Sequence, residues 1–154
     1  MNPIHNAHSP LRPLLIIEDN DMDLDFCLQA FSEHAVANPV IACRDGEEAL
    51  QFIEAHPSSG DQQFPLLVLL DLRLPKIDGI EVLRHARQHP VWKQVPFVIL
   101  TTSRENSDIG AAYETGVNSY IVKPVDFDSF AKVVQRIKLY WILTNEPPFA
   151  IPPG

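Results

Sequence analysis

Leu66-Leu67-Val68-Leu69-Leu70-Asp71-Leu72-Arg73-Leu74-Pro75-Lys76-Ile77-Asp78-Gly79 is the stretch from which the rest of the chain is read. Five apolar residues in a row predict a strand buried on both faces, since a strand covered by helices on either side has no reason to alternate. The run stops at Asp71. A carboxylate buried without a partner is costly, so this one is expected at the strand's mouth, among water, a cation or hydrogen-bond donors. Pro75 and the Asp78-Gly79 pair turn the chain before a helical pattern begins. Ligands of parallel α/β sheets gather beyond the carboxyl ends of the strands, and Asp71 stands at such an end.

The same grammar repeats on either side. Upstream, Leu14 to Ile17 is a short buried-type strand closed by Glu18-Asp19, and Asn20 or Asp21 caps a helix to about His34 with Leu24, Cys27, Leu28 and Phe31 on one face. Pro39 to Cys43 is a weaker strand, and Asp45-Gly46 opens a helix through Ala49, Leu50 and Ile53. Downstream, Ile80, Val82, Leu83 and Ala86 mark a helix closing before Pro90. Pro96 to Leu100 is a further apolar strand ended by Thr101. A helix from about Glu105 stops at Gly116, and Val117 to Val122 is the last strand, ended by Lys123-Pro124. Asp126 caps a long final helix through Trp141, and Pro147, Pro148, Pro152 and Pro153 forbid more. Five strands alternating with five helices predict a doubly wound parallel sheet, a flavodoxin-like (βα)5 fold with strand order 2-1-3-4-5.

Length and composition bound the function. The 154 residues suit one domain, read as a leader over 1–13, a folded unit over 14–143 and a Pro-rich tail over 144–154. A formal charge of −8 argues against nucleic acid as a direct partner. No apolar run reaches the roughly 20 residues of a membrane helix, no signal peptide is recognisable, and Cys27 and Cys43 read as buried thiols. A cytoplasmic protein is expected. His5 and His8 in the leader have no companion ligands, and His34, His56, His85 and His89 fall near helix ends, where an imidazolium complements the dipole.

The strand ends carry the chemistry. Glu18, Asp19, Asp71, Thr101 and Lys123 converge on one rim. Three carboxylates so close repel, and a hard divalent cation such as Mg²⁺ relieves that in an all-oxygen, partly hydrated site. A dianionic phosphoryl group fits between cation, Thr101 hydroxyl and Lys123 ammonium. Carboxylates act as nucleophiles and form aspartyl-phosphates, a chemistry that needs little beyond positioning and charge neutralisation.

Over roughly Leu14 to Tyr140 this set resembles the receiver domain of two-component response regulators. It comprises Glu18-Asp19, Asp71 with Pro75 and Gly79 after it, Thr101, Tyr120 and Lys123-Pro124. Thirty residues separate Asp71 from Thr101 and 22 separate Thr101 from Lys123, intervals similar to that family's. The resemblance implies that Asp71 accepts phosphate from a sensor kinase's phosphohistidine. It implies that Asp19 and Asp71 bind Mg²⁺ directly, Glu18 through water and Arg73 by its backbone carbonyl. Thr101 then hydrogen-bonds the phosphoryl group, Lys123 pairs with it, and Tyr120 swings inward when Thr101 moves. It also implies a cis Lys123–Pro124 bond, and a phosphoryl lifetime that depends on Arg73 and Ser103.

The segment Leu139 to Pro148 is similar to the extension of stand-alone receivers that partner phytochrome-type histidine kinases. Tyr140, Trp141, Ile142 and Leu143 extend past what one helix face buries, which suggests a homodimer through the last helix and tail. Output then falls to protein contact. Two other readings stay open here. A phosphatase of the haloacid-dehalogenase type also uses an Asp nucleophile but needs a second acid where Arg73 stands. A pseudo-receiver binds partners without phosphate, against which the complete acid and lysine set argues.

Overall fold

The computed structural model describes residues 11–148. The leader's first ten residues, with His5 and His8, and the tail beyond residue 148 lie outside the described residues.

Five parallel strands, β1 Leu14–Ile17, β2 Val40–Cys43, β3 Leu67–Leu70, β4 Phe97–Thr101 and β5 Ser119–Val122, form one sheet in the order β2-β1-β3-β4-β5. This is the flavodoxin-like arrangement expected. β1 and β3 run in register, Leu14 beside Leu67 through Ile17 beside Leu70, so their carboxyl ends finish level and deliver acids to one place. Every residue of β1, β3 and β4 is buried, whereas the edge strands β2 and β5 are mostly half-buried. Unbroken apolar runs are what a sheet covered on both faces requires.

Helices α1 Asp21–Glu33, α2 Gly46–Ala55, α3 Gly79–Gln88, α4 Asn106–Thr115 and α5 Phe127–Ile137 make the two covers. α1 and α5 close one face over Leu14, Ile16, Leu67, Leu69, Val98 and Leu100, with Phe31, Phe130 and Ile137 filling the layer. α2, α3 and α4 close the other over Leu15, Ile17, Val68, Leu70, Phe97 and Ile99, with Trp92 buried among them. Asn20, Asp45 and Asp126 cap α1, α2 and α5 through side-chain bonds to backbone N–H groups. Gly116 ends α4 in the left-handed conformation, φ 104°, as the sequence suggests.

The structure corrects three details. Leu28, placed on the apolar face of α1, is exposed, and Ala30 takes its position against the core. The final helix does not run uniformly to Trp141, because Lys138–Ile142 is a π-helical turn. Its wider winding rotates Trp141 and Ile142 back onto the α1/α5 core, leaving Leu139, Tyr140 and Leu143 exposed. The Lys123–Pro124 bond is trans, as are all peptide bonds among the described residues; trans is the form an X-Pro bond favours by default. His89, at the end of α3, also has a hydrogen-bonding role, since its Nδ1 accepts the N–H groups of Val91 and Trp92 just ahead of and within the short 3₁₀ turn Trp92–Gln94.

Candidate functional site

Each expected residue arrives at the rim from a strand end. Glu18 and Asp19 follow β1, Asp71 follows β3, Thr101 is the last residue of β4, and Lys123 follows β5. The ladder itself aims them: the Asp71 N–H donates to the Ile17 carbonyl at 3.0 Å, and the Lys123 N–H to the Thr101 carbonyl at 2.7 Å. The loop after Asp71 is tied down at Gly79, whose N–H donates to the Leu72 carbonyl at 3.0 Å. A Cβ there would stand 2.4 Å from the Asp71 carbonyl oxygen, so only glycine lets α3 start this close to the acid. The Asn20 N–H donates to the Glu18 carboxylate at 3.2 Å while its side chain caps α1.

Glu18, Asp71, Thr101 and Lys123 are all buried. One oxygen each of Glu18, Asp19 and Asp71 lie within 4.8 Å of one another. Lys123 Nζ donates to Glu18, to Asp23 at 2.8 Å and to Asp71 at 3.2 Å, so its three protons meet three carboxylates. Burial by itself disfavours the ammonium, yet the hydrogen bonds to Asp23 and Glu18 and the Asp71 charge outweigh it and hold Lys123 above the usual lysine range. Glu18 is pushed up to about 7, first by burial and then by the Asp71 charge, against the pull of Lys123. With Lys123 charged, the surplus negative charge falls on the acids. The Glu18, Asp19 and Asp71 carboxylates, all hard oxygen donors, fit a divalent cation of the Mg²⁺ or Mn²⁺ kind.

The wall toward β5 is a second, smaller network. The Arg73 N–H donates to Asp71 Oδ1 at 3.3 Å, while its guanidinium reaches Asp108 at 2.5 Å. The Ser103 hydroxyl donates to the same Asp108 oxygen at 2.5 Å. Its N–H faces Thr101 Oγ1 at 3.5 Å, and its carbonyl accepts the Tyr120 hydroxyl at 3.0 Å. Burial raises the Tyr120 phenol, with the Asp108 and Asp71 charges adding to it and Arg73 opposing.

The expected acids, Thr101 and Lys123 are thus brought to one rim, with Tyr120 linked to Thr101 through Ser103. Sequence reasoning missed Asp23 and Asp108. Asp23 lies in the first turn of α1, where an acid reads as a complement to the helix dipole; only the fold shows it meeting a lysine 100 residues away. Asp108 hides behind the same reading in α4.

Residues 14–135 match the response regulator receiver domain family. The chain is 38% identical over 135 residues to the probable methanogenesis regulatory protein FilR2 of Methanothrix harundinacea, covering 88% of this chain and 86% of that one. It is 35% identical over 142 residues to response regulator Rcp1 of Synechocystis, covering 92% and 97%. The Mn²⁺-bound Rcp1 crystal structure superposes with a TM-score of 0.80 over 90% of this chain and 99% of that one. The phosphorylated cyanobacterial phytochrome response regulator RcpA superposes with a TM-score of 0.83 at 33% identity, over 90% and 99%.

Proposed function

The chain belongs to the response regulator receiver domain family, the phosphorelay partners of histidine kinases, and on that premise we propose that Asp71 is its phosphoacceptor. One observation carries the assignment. The Asp71 carboxylate shares a single rim with Glu18 and Asp19, within 4.8 Å, and with the Lys123 ammonium at 3.2 Å.

Asp71 attacks the phosphorus of a kinase phosphohistidine, the P–N bond breaks, and the imidazole leaves. Asp19, Asp71, the Arg73 backbone carbonyl and, through water, Glu18 would hold Mg²⁺, which would supply charge neutralisation between the carboxylate and the incoming phosphoryl group. Lys123 pairs with that group and Thr101 hydrogen-bonds it. Tyr120 follows Thr101 inward and exchanges its bond to the Ser103 carbonyl for a buried position. The receiver itself catalyses uptake and hydrolytic loss, without turnover of a free substrate. Phosphorylation biases a pre-existing two-state equilibrium, and the output is a face made of α4, β5 and α5.

We place the unit at residues 14–143, between a leader over 1–13 and a Pro-rich tail over 144–154, in the cytoplasm and without direct nucleic-acid contact. The superposed cyanobacterial phytochrome response regulator RcpA supports a phytochrome-type histidine kinase as the donor. Exposed Leu139, Tyr140 and Leu143 at the end of the last helix support a homodimer there. A haloacid-dehalogenase-type phosphatase is disfavoured by Arg73 in the position of the second acid, and a pseudo-receiver by the complete acid and lysine set. The test is transfer from autophosphorylated histidine kinases. Label passes within seconds to the wild type from a phytochrome-type kinase and not to Asp71→Asn; label on that variant refutes the assignment.

A further inference from the structure

We propose that Asp108 is a positioning residue for phosphotransfer: it holds the Arg73 guanidinium away from Asp71 in the resting protein and so sets how fast the phosphoryl group enters and leaves. The inference rests on Asp71 being the phosphoacceptor. Arg73 is tethered at both ends of its structure. Its backbone N–H touches the Asp71 carboxylate at 3.3 Å, so the residue is rooted beside the reacting oxygen. Its side chain points elsewhere, to Asp108 at 2.5 Å.

Asp108 is fixed for the task. It stands in the first turn of α4 and is largely shielded, its side chain 21% exposed against 57% for Arg73. The Ser103 hydroxyl, 2.5 Å away, holds the same oxygen from the loop that follows Thr101. One carboxylate thereby joins the residue two places past the phosphoacceptor to the residue two places past the switch hydroxyl. The Tyr120 hydroxyl closes the group on the Ser103 carbonyl.

A phosphoryl group on Asp71 brings two negative charges next to the root of Arg73. A guanidinium is drawn more strongly to a phosphoryl group carrying two negative charges than to a carboxylate carrying one, and its planar fork matches the phosphate oxygens. Arg73 then changes partner, Asp108 and Ser103 are released together, and the N-terminal turn of α4 loses an anchor as Tyr120 moves. Seated over the phosphoryl group, Arg73 also obstructs water. In hydrolysis the water oxygen attacks phosphorus, the P–O bond to Asp71 breaks, the carboxylate leaves, and the water's proton goes to solvent with inorganic phosphate.

The test loads the full chain with acetyl phosphate and Mg²⁺, where the Asp71 oxygen attacks phosphorus and acetate leaves. It follows uptake, and loss after removal of donor, by intact mass. Asp108→Ala lengthens the phosphoryl lifetime by about fivefold and quickens uptake, a coupling of ordinary size for contacting charges. Asp108→Asn, which keeps an acceptor for Ser103 but drops the charge, does the same. In an Arg73→Ala background neither substitution changes the lifetime. Equal effects in both backgrounds, or no effect of either substitution in the wild type, overturn the inference. A wild type that takes up no phosphate sinks the phosphoacceptor assignment first and this inference with it, which separates the two failures. Circular dichroism of each variant, expected to match the wild type, ties the rates to the site.

Discussion

Lys123 shows how one side chain is made to serve a fold and a reaction. Removing it leaves the Glu18 and Asp71 carboxylates buried without a cation, a change that typically costs roughly 3–5 kcal/mol. Lys123→Ala is therefore expected to lower the denaturation midpoint sharply in chelator and to recover part of the loss in millimolar Mg²⁺. Equal stability in both conditions contradicts a cation site among these acids. The cysteines give an independent check of burial. Cys27 and Cys43 are both pushed up to about 12, chiefly by burial, so neither is ionised near neutrality. The thiolate is the reactive form. At pH 8 their reaction with a disulfide reagent should run about a thousandfold slower in the native protein than in guanidinium. Comparable rates would place the thiols elsewhere.

At the scale of elements, the start of α3 and the start of α1 decide how well the rim is held. The Cβ in Gly79→Ala meets the Asp71 carbonyl oxygen at 2.4 Å and Leu72 Cα at 2.7 Å, both backbone atoms that cannot step aside. Overpacking of this kind costs about 1–3 kcal/mol, and urea denaturation should register it together with slower phosphate uptake. Asn20→Ala removes the α1 cap, worth about 1 kcal/mol. A loss below a few tenths in either case would mean that these ends are looser than described. The elements were largely readable from residues alone. Apolar runs broken by Glu18, Asp71, Thr101 and Lys123 mark the strands, because only a doubly covered sheet tolerates such runs. The exceptions have local causes. Leu28 has the right spacing but sits just off the buried stripe of α1, where small Ala30 packs instead, and nothing in Lys138–Ile142 announces a π turn.

For the whole molecule, the site was legible where residues stand at strand ends and illegible where helices supply them. Strand order converts five distant positions into one rim, so Glu18, Asp19, Asp71, Thr101 and Lys123 could be grouped before any coordinates. Asp23 and Asp108 could not, since a helical acid has many possible neighbours and the packing angle selects one. The tail poses the remaining question of assembly. Leu139, Tyr140 and Leu143 are 53%, 54% and 64% exposed on an extension that Lys138 ties to the α1 end through the His34 carbonyl. Sedimentation velocity at tens of micromolar should show a dimer, and Tyr140→Glu with Leu143→Glu a monomer of unchanged fold. A wild-type monomer, with and without beryllofluoride, would exclude association through this surface.

The central claim is that this rim exists to put one phosphoryl group on Asp71. Intact mass after incubation with acetyl phosphate tests it most directly, on the wild type with and without Mg²⁺ and on Asp71→Asn. A single hydroxylamine-labile phosphoryl adduct on the wild type, dependent on the metal and missing from the variant, is the predicted result. An adduct that survives the Asp71→Asn substitution, or that forms equally well in chelator, would contradict it.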